Sequence, residues 1–579
     1  MSHPVSLGVE GPAAPAAERP AFLSAVRDLG ADFLVAQCTP EPTTDVARKL
    51  AWISAGLTSS SESLAAFAAD CRAAGLSFIL NQEITNYSAE GAFLDRSGRD
   101  VLAHPDGTHR WDLPDEELAI AARLPGFEGV LYDEAEHGQM RREANTNGGT
   151  DGSRSGRVHP YWARTDGMTL GQACEAVHGS ARAVADGYRR AGTRIFTEHV
   201  FPVMFHTFAR AGITACTKFM KEGIDPVYAA IALGAARQYG TGFAVTPDMW
   251  GISAFGFAKC GFPGHSPEEL RAALLYAYWM GAERIFVENI HADFLEAPAG
   301  LLERSGDGAA ARFRPTAYGE VYRWFAREYV PAHPRPCDWR DVRPEVGIVR
   351  LDDSCWGQGN SWLPDALYGA ANLKTTPATA AWFGLWHVLT HGKVHPDGLS
   401  YHVRSYREVR PASGTEGSPY AAGAKPSGDV RHDFFCPLRG VAVYDHLAGP
   451  KELEGLKLVC LTGVTIGEPT LAAVREFVRA GGVCVALADL APKDLAGRRG
   501  EVREDAGRWV LVPDFLCPEA RAAIAPFLGR PDEIRYRFGE RTLTVRRRGE
   551  DGNAIGIWLD RQSGAADDGA EPDESARVW

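Results

Sequence analysis

The chain has 579 residues, which is too long for one ordinary domain and predicts two to four. An apolar fraction of 45% and a charged fraction of 23% are typical of a soluble globular protein, and no run of eighteen apolar residues indicates a membrane span. The net charge of -13 disfavours nucleic acid as a partner, because an acidic surface repels phosphate.

The first residues lack the basic segment and apolar core of a secretion signal. The eleven cysteines are scattered and form no CxxC pair. Both features predict a cytoplasmic protein with reduced cysteines, because disulfides persist mainly in oxidising compartments.

One phrase recurs seven times along the first half of the chain: an amphipathic helical segment, a glycine, and a short β-rich run. The glycines are Gly30, Gly75, Gly126, Gly192, Gly212, Gly240 and Gly281. A further strand candidate, Val5–Gly11, precedes the first helix and raises the number of strands to eight. Eight alternating units in roughly 300 residues predict a (β/α)8 TIM barrel. An open doubly wound sheet is the alternative, although no GxGxxG follows the first strand.

The segment Arg314–Val330 reads as a helix that closes the barrel, and a Pro-rich linker follows it. We expect a barrel over residues 1–332, a flavodoxin-like α/β domain over 343–530 and a short β-rich segment over 531–560. The acidic tail, 561–579, is expected to be disordered.

Catalytic groups in such barrels lie at the carboxyl ends of the strands. Acids and amides follow most of the predicted strands: Glu10, Asn81, Asp133, Glu134, Glu136, Glu198, Glu222, Asp248, Glu288 and Asn289. One such acid ordinarily caps a helix or pairs with an arginine. Several around one opening repel each other and cost stability, so a site that keeps them is expected to use them.

Along strand four, an extended backbone would place Tyr132, Glu134 and Glu136 on one side and Asp133 on the other. Aromatic and imidazole groups accompany the acids at Tyr132, His137, His199 and Trp250. Aromatic rings stack on sugar faces while acids and amides bind hydroxyls, so the combination predicts a carbohydrate ligand. The alternative is that Tyr132 and Trp250 only fill the rim of the barrel.

The predicted substrate-binding set comprises Glu10, Asn81, Tyr132, Asp133, Glu136, His137, His199, Glu222, Trp250 and Asn289. Glycoside cleavage needs one carboxylic acid to protonate the departing oxygen and one carboxylate to support the cationic centre. Glu134 is the candidate acid, with Asp248 or Glu288 as the anion, and Glu198 is the rival for either role.

The stretches "SLGVEGP" and "DEELAIAARLPGFEGVLYDEAEH" resemble those of clan A glycoside hydrolases, and the order of the domains resembles the family 42 β-galactosidases. The resemblance implies an acid/base glutamate at Glu134, although this chain has Asp133 where the clan has asparagine. It also implies a nucleophilic glutamate after strand seven, where Asp248 stands. If Val5–Gly11 is not a barrel strand, Glu288 takes that place and Glu198 becomes the strand-four acid.

Two other classes stay open. A metal-dependent hydrolase would use His387 and His391, four residues apart on a predicted helix. A non-catalytic carbohydrate-binding barrel would keep the cleft without the chemistry. The glycosidase interpretation implies no cofactor, no metal and no membrane partner, and it makes the second domain a candidate for homo-oligomerisation.

Overall fold

The computed structural model describes residues 3–38, 57–58, 60–81, 115–142, 145, 163–220, 224–249, 265–288, 290, 300–356, 358, 365–396, 434–550, 552–561 and 571–579. Side chains of the helix at 115–117 are outside this description. In the described residues no helix is long and apolar enough to cross a bilayer.

Eight parallel strands close into a barrel in sequence order, which confirms the predicted (β/α)8 fold. They are β1 (Ser6–Pro12), β2 (Phe33–Gln37), β3 (Ser77–Asn81), β4 (Phe127–Asp133), β5 (Ile195–His199), β6 (Thr214–Phe219), β7 (Ala244–Pro247) and β8 (Arg284–Glu288). Strand β1 pairs with both β2 and β8, so the open sheet and the register without this strand are wrong. Glu198 therefore belongs to β5 and Glu288 to β8.

Helices surround the barrel and complete the crossovers between parallel strands. They are α1 (Arg19–Leu29), α2 (Ser61–Ala74), α3 (Asp115–Ala121), α4 (Ala135–Met140), α5 (Leu170–Arg190), α6 (Phe205–Arg210), α7 (Asp225–Tyr239) and α8 (Pro267–Trp279). Thr169 caps α5 by accepting a hydrogen bond from Gln172 N, and Gly75 ends α2 in the left-handed conformation. These local signals explain why the repeated helix, glycine, strand phrase is visible in the sequence.

The interior of the barrel is layered, because alternate residues of each strand point inward. The apolar layer comprises Phe33, Val35, Ile79, Leu131, Phe196, Cys216, Ala244 and Phe286. Two residues farther along the strands lies a polar layer of Gln37, Asn81, Asp133, Glu198, Lys218, Thr246 and Glu288. At the opposite end, Arg284 pairs with Glu128 at 2.6 Å and lies over the Phe33 ring. The barrel interior is thus apolar through its middle and polar at the carboxyl ends of the strands.

After β8, a hairpin of β9 (Leu302–Ser305) and β10 (Arg312–Pro315) precedes the predicted closing helix. This helix runs as α9 (Ala317–Trp324), a π-helical turn (Phe325–Tyr329) and α10 (Val330–Ala332). The Pro-rich segment that follows is packed rather than free. Buried Arg335 donates to the carbonyls of Tyr278 and Ala282 at 2.6 and 3.0 Å.

A six-stranded sheet follows in the order β14-β12-β15-β16-β18-β17, with only β17 antiparallel. Its strands are β12 (Val346–Arg350), β14 (Val441–Asp445), β15 (Leu458–Leu461), β16 (Val483–Leu487), β17 (Gly500–Glu504) and β18 (Gly507–Val512). Its helices are α11 (Pro377–Leu389), α12 (Pro450–Leu453), α13 (Glu468–Arg479) and α14 (Pro518–Ile524).

The remaining sheet joins β19 (Glu533–Phe538), β20 (Arg541–Arg547) and β21 (Ile555–Arg561) to the short strands β11 (Val342–Arg343) and β13 (Leu438–Arg439). The expected disordered tail is wrong for residues 571–579, and residues 562–570 lie outside the description. Trp579 packs on Trp324 with ring centroids 5.0 Å apart. Its carbonyl accepts a hydrogen bond from Ile557 N.

Candidate active site

A single lysine, Lys218, organises the polar end of the barrel. Its Nζ lies 2.9 Å from Asp133 Oδ1, 3.2 Å from Glu134 Oε1, 3.2 Å from Asp248 Oδ2 and 2.8 Å from Glu288 Oε2. The lysine comes from β6, and its four partners come from the ends of β4, β7 and β8. Acids distant in the chain therefore meet around one cation at the face where barrel enzymes place their catalytic groups.

The charge around Lys218 is unusual for a buried position. Burial alone would lower the pKa of Lys218, but the carboxylates of Asp133 and Glu288, with those of Asp248 and Glu134, outweigh it and raise this pKa well above the usual range. The side chain therefore stays an ammonium. Four carboxylates around one ammonium leave a surplus of negative charge in a site with little water.

A second pair of acids lies in the same layer. Glu10 and Glu198 face each other and are both buried, and Asn81 Nδ2 donates a hydrogen bond to Glu10 Oε1. Burial, followed by the charges of Glu198 and Glu288, raises the pKa of Glu10 well above its ordinary value. Burial is also the main cause that raises the pKa of Glu198. Two buried carboxyl groups that interact in this way favour a shared proton.

Strand four does not continue as an extended segment, so the predicted alternation is wrong. It ends at Asp133, and Glu134 adopts the left-handed conformation with φ 49° and ψ 40°. This turn brings Asp133 and Glu134 together on Lys218, instead of placing them on opposite sides. A glutamate with positive φ is strained, and such strain is concentrated at functional positions.

Glu136 and His199, both predicted to bind substrate, lie next to each other. Glu136 Oε1 accepts from Phe201 N at 3.1 Å, and its other oxygen lies 3.8 Å from His199 Nδ1. Burial lowers the pKa of His199 to about 4 and raises that of Glu136. The two side chains therefore shape the loop after β5, and their contact with substrate stays a prediction.

His137 and Tyr132 remain close to the acids. His137 Nδ1 lies 3.2 Å from Glu134 Oε2, so the imidazole orients this carboxyl group. Tyr132 on β4 is fully buried and belongs to the core outside the barrel interior, and its contact with substrate stays a prediction. Glu222, Trp250 and Asn289 lie outside the described residues.

Accessibility separates the four carboxylates that bind Lys218. The side chains of Glu134 and Glu288 retain 10% and 5% of their surface, whereas that of Asp248 is fully covered. Glu198 is also covered. Among the four predicted catalytic acids, Glu134 and Glu288 are therefore the two whose side chains keep some exposed surface.

Lys218 is absent from the sequence prediction, because that prediction takes Glu222 as the residue at the end of strand six. The signal was available in the alternation of inward-facing residues. Cys216 belongs to the apolar layer, so Lys218 is the next inward position. A lysine in the middle of an otherwise buried strand also indicates that acids from other strands surround it.

The second sheet supports the loops around the site, which the sequence did not reveal. Asp352, directly after β12, accepts from Met204 N at 2.8 Å and from Thr207 N at 3.1 Å, at the start of α6. Gln139 of α4 donates to the carbonyl of Tyr368 at 2.7 Å. Contacts from residues beyond the barrel thus hold the segments that follow β4 and β5.

The histidine pair suggested for a metal makes other contacts. His387 Nδ1 lies 2.9 Å from the Val394 carbonyl, and His391 Nε2 lies 2.9 Å from the Gly529 carbonyl. A nitrogen that donates to a carbonyl has no lone pair for a metal, but the second ring nitrogen of each histidine keeps one, so the metal-hydrolase alternative stays a prediction. Within the described ranges, the group with metal-ligand spacing is His3, Asp338 and Asp341, where Asp338 already pairs with Arg340 at 2.8 Å.

No family model and no curated protein matches the chain. Similar solved structures include an exo-β-1,4-mannosidase from Opitutaceae bacterium strain TAV5, with 12% identity over 96% of this chain and 91% of that one and a TM-score of 0.43. A GH5_18 protein from Bifidobacterium longum subsp. longum has 14% identity over 62% and 88%, TM-score 0.35.

An endo-β-1,4-mannanase from Thermotoga petrophila has 9% identity over 60% of this chain and 82% of that one, with a TM-score of 0.34. At these TM-scores the comparisons do not bear on the activity of this chain.

Proposed function

We propose that the protein is a glycoside hydrolase that removes a terminal sugar from a small glycoside by paired-carboxylate catalysis. The observation that carries the proposal is the convergence of Glu134 and Glu288 on one buried ammonium at the open end of the barrel. The resemblance of the sequence to clan A glycoside hydrolases points to the same chemistry. The more specific resemblance to the domain order of family 42 stays a proposal.

Glu134 is the proposed general acid. Four carboxylates that share one ammonium cannot all stay charged in a buried site without a large cost, so one of them favours a proton. Glu134 is the most exposed of the four and can exchange this proton with water. His137, at 3.2 Å, holds the carboxyl group in place.

Glu288 is the proposed anion. Its oxygen is the one closest to Lys218 Nζ, at 2.8 Å, which favours the ionised form. Because Glu134 and Glu288 bind the same ammonium, their nearest oxygens are within about 6 Å of each other. Such a bound is compatible with the ~5–5.5 Å between the two carboxyl groups of retaining enzymes, and we propose a retaining reaction with a covalent intermediate on Glu288.

Neutral aryl glycosides provide the test. Wild-type protein is expected to release the aryl alcohol from at least one member of a panel of α- and β-hexosides. Glu134→Gln and Glu288→Gln should each lower kcat/KM at least ~10²–10⁴-fold, the range typical of lost acid/base assistance. Glu303→Gln, an exposed acid of the β9–β10 hairpin, is the matched control and should keep full activity.

The outcomes separate this proposal from its alternative. Full activity in both active-site variants would exclude the assignment of Glu134 and Glu288. Binding of a sugar without turnover by wild type would favour the non-catalytic carbohydrate-binding barrel. Proton NMR of the first-formed sugar would show the anomer of the substrate if the reaction retains configuration.

The regions beyond the barrel are proposed to support it. We assign residues 1–332 to the catalytic domain, 343–530 to a flavodoxin-like α/β domain, and 531–560 to a β-rich segment. The second domain is the proposed site of homo-oligomerisation in a cytoplasmic protein. Light scattering of the purified chain tests the oligomer, and a monomer at micromolar concentration would refute it.

A further inference from the structure

Lys218 has no assigned part in the reaction beyond its ion pairs with Glu134 and Glu288. It is 1% exposed, lies between the acids of β4 and β8, and comes from a strand with no other charged residue. An ammonium has three N–H donors, whereas four carboxylates surround this one, so its hydrogen bonds are shared among them. The four acids are thereby fixed relative to one another.

A buried lysine at the mouth of a barrel could instead act as a nucleophile toward a carbonyl substrate. That role requires a neutral amine with a lowered pKa, obtained through an apolar pocket or a neighbouring cation. The neighbours of Lys218 have the opposite effect, because the carboxylates keep the amine protonated. The geometry therefore favours a fixed charge over covalent chemistry.

We propose that Lys218 is a positioning residue whose ammonium holds Glu134 and Glu288 at their working separation and keeps Glu288 ionised, without bonding to the substrate. This inference rests on the proposed glycosidase function. The positive charge does not oppose the cationic transition state, because the surrounding carboxylates outnumber it and leave the site negative overall. Lys218 thus orders the acids and preserves the field that catalysis needs.

The charged and titratable groups that face this site come from most of the barrel strands. Among the described residues they include Glu10, Asp133, Glu134, Glu136, His137, Glu198, His199, Asp248 and Glu288. Removal of the Lys218 cation makes ionisation of each acid harder. A shift is therefore expected in the acidic limb of the pH profile of activity, because Glu288 must lose its proton before it can attack.

Three variants test the role of Lys218 in the full-length protein. Lys218→Met removes the charge and keeps much of the volume, and it should lower kcat by ~10²–10³-fold, as does loss of a fixed electrostatic group. Its KM should change little, and its acidic limb should move to higher pH. Lys218→Arg retains the charge and should leave the acidic limb near its wild-type position with an intermediate kcat. Lys457→Met, which removes a lysine paired with Glu345 in the second sheet, is the control and should match wild type.

Thermal unfolding gives a measurement that does not depend on glycosidase activity. The deficit of Lys218→Met relative to wild type should be larger at pH 8, where the acids are ionised, than at pH 4.5. If wild type cleaves no glycoside, the proposed function fails while this comparison still tests the charge role. If Lys218→Met does not fold at any pH, the pH profile and melting of Lys218→Arg decide.

Two results would overturn the inference. The first combines three observations. Lys218→Met and Lys218→Arg lose the same share of kcat, their acidic limbs do not shift, and the melting temperature of Lys218→Met is lowered equally at pH 8 and pH 4.5. The other is a covalent adduct on Lys218, found by mass spectrometry after borohydride reduction in the presence of a sugar aldehyde or ketone. That adduct would assign the lysine to imine chemistry.

Discussion

Asp352 and Thr207 form a double hydrogen bond that joins the second sheet to the barrel. Asp352 Oδ2 accepts from the backbone N–H and the hydroxyl of Thr207, at 3.1 and 3.0 Å, while Oδ1 accepts from Met204 N. The carboxylate thus caps the first turn of α6, directly after the segment that contains Glu198 and His199. A residue outside the barrel consequently fixes a loop on the face that carries the candidate site.

Asp352→Asn is expected to destabilise the protein, because the amide turns one acceptor into a donor that faces a buried N–H or hydroxyl. An unsatisfied buried group of this kind costs about 1–3 kcal/mol. Differential scanning calorimetry should show a lower melting temperature. Asp514→Asn is the control, since Asp514 caps Leu516 N in an exposed loop, and an unchanged melting temperature in both variants would contradict the capping role.

Glu10→Gln should change how stability depends on pH. The pKa of Glu10 is raised in the folded protein by burial and by the charge of Glu198, and that of Glu198 is raised mainly by burial, so the folded state binds more protons than the unfolded state above about pH 4.5. Stability from this pair is present at low pH and is lost as pH rises through the raised values. The glutamine amide can donate to Glu198 without taking up a proton.

Melting curves of Glu10→Gln from pH 5 to 9 should therefore be flatter than those of wild type. One proton of difference between folded and unfolded states changes stability by about 1.4 kcal/mol per pH unit. Exposed Glu303→Gln should retain the wild-type slope. The same slope in Glu10→Gln and wild type would show that the pair holds no shared proton.

The repeated pattern of the sequence predicts the barrel because each helix and strand carries a local sequence signal. Thr169 caps a helix, Gly75 ends one, and alternate residues of short strands are apolar. The same alternation places Glu10, Asp133, Glu198 and Glu288 at one end of the barrel. The part of the site that depends on strand ends was thus accessible from the sequence.

Other parts of the site depend on tertiary contacts. The left-handed turn at Glu134 breaks the alternation of strand four, and no glycine or asparagine at that position signals it. Because the backbone turns at Glu134, the Glu136 side chain points toward Phe201 N instead of following the alternation of the strand. The contact of Asp352 with Thr207 joins residues 145 positions apart, and no local pattern of the sequence could reveal it.

Trp579 is expected to stabilise the protein. Its ring lies 5.0 Å from that of Trp324 and 5.9 Å from that of Tyr329, which ties the final sheet to the helix that closes the barrel. Each aromatic pair contributes about 0.5–1.5 kcal/mol beyond its buried area. Trp579→Ala should lower the melting temperature measured by circular dichroism, whereas exposed Ser575→Ala should not. Equal melting of Trp579→Ala and wild type would mean that the tail packs without stabilising the fold.

Gly234 marks a close approach between the barrel and the second sheet. It lies in α7, and a Cβ at this position would overlap the carbonyl of Val443 in β14. The same carbonyl accepts a hydrogen bond from His206 Nε2 at 2.9 Å, and Gln238 Nε2 donates to Asp445 at 2.6 Å nearby. Only glycine lets the helix lie directly on the strand.

Gly234→Ala should therefore separate α7 from β14 and weaken the His206 bond. Forced overpacking of this kind costs about 1–3 kcal/mol. Gly179→Ala is a control that should change stability in the opposite direction. Gly179 is exposed in α5, and a Cβ added there would meet open space. Alanine at this position should add about 1 kcal/mol of stability through its higher helix propensity. Melting temperatures that fall for Gly234→Ala and rise for Gly179→Ala would attribute the effect to the contact between helix and strand. A rise in both would show that the second sheet can move away from the barrel without cost.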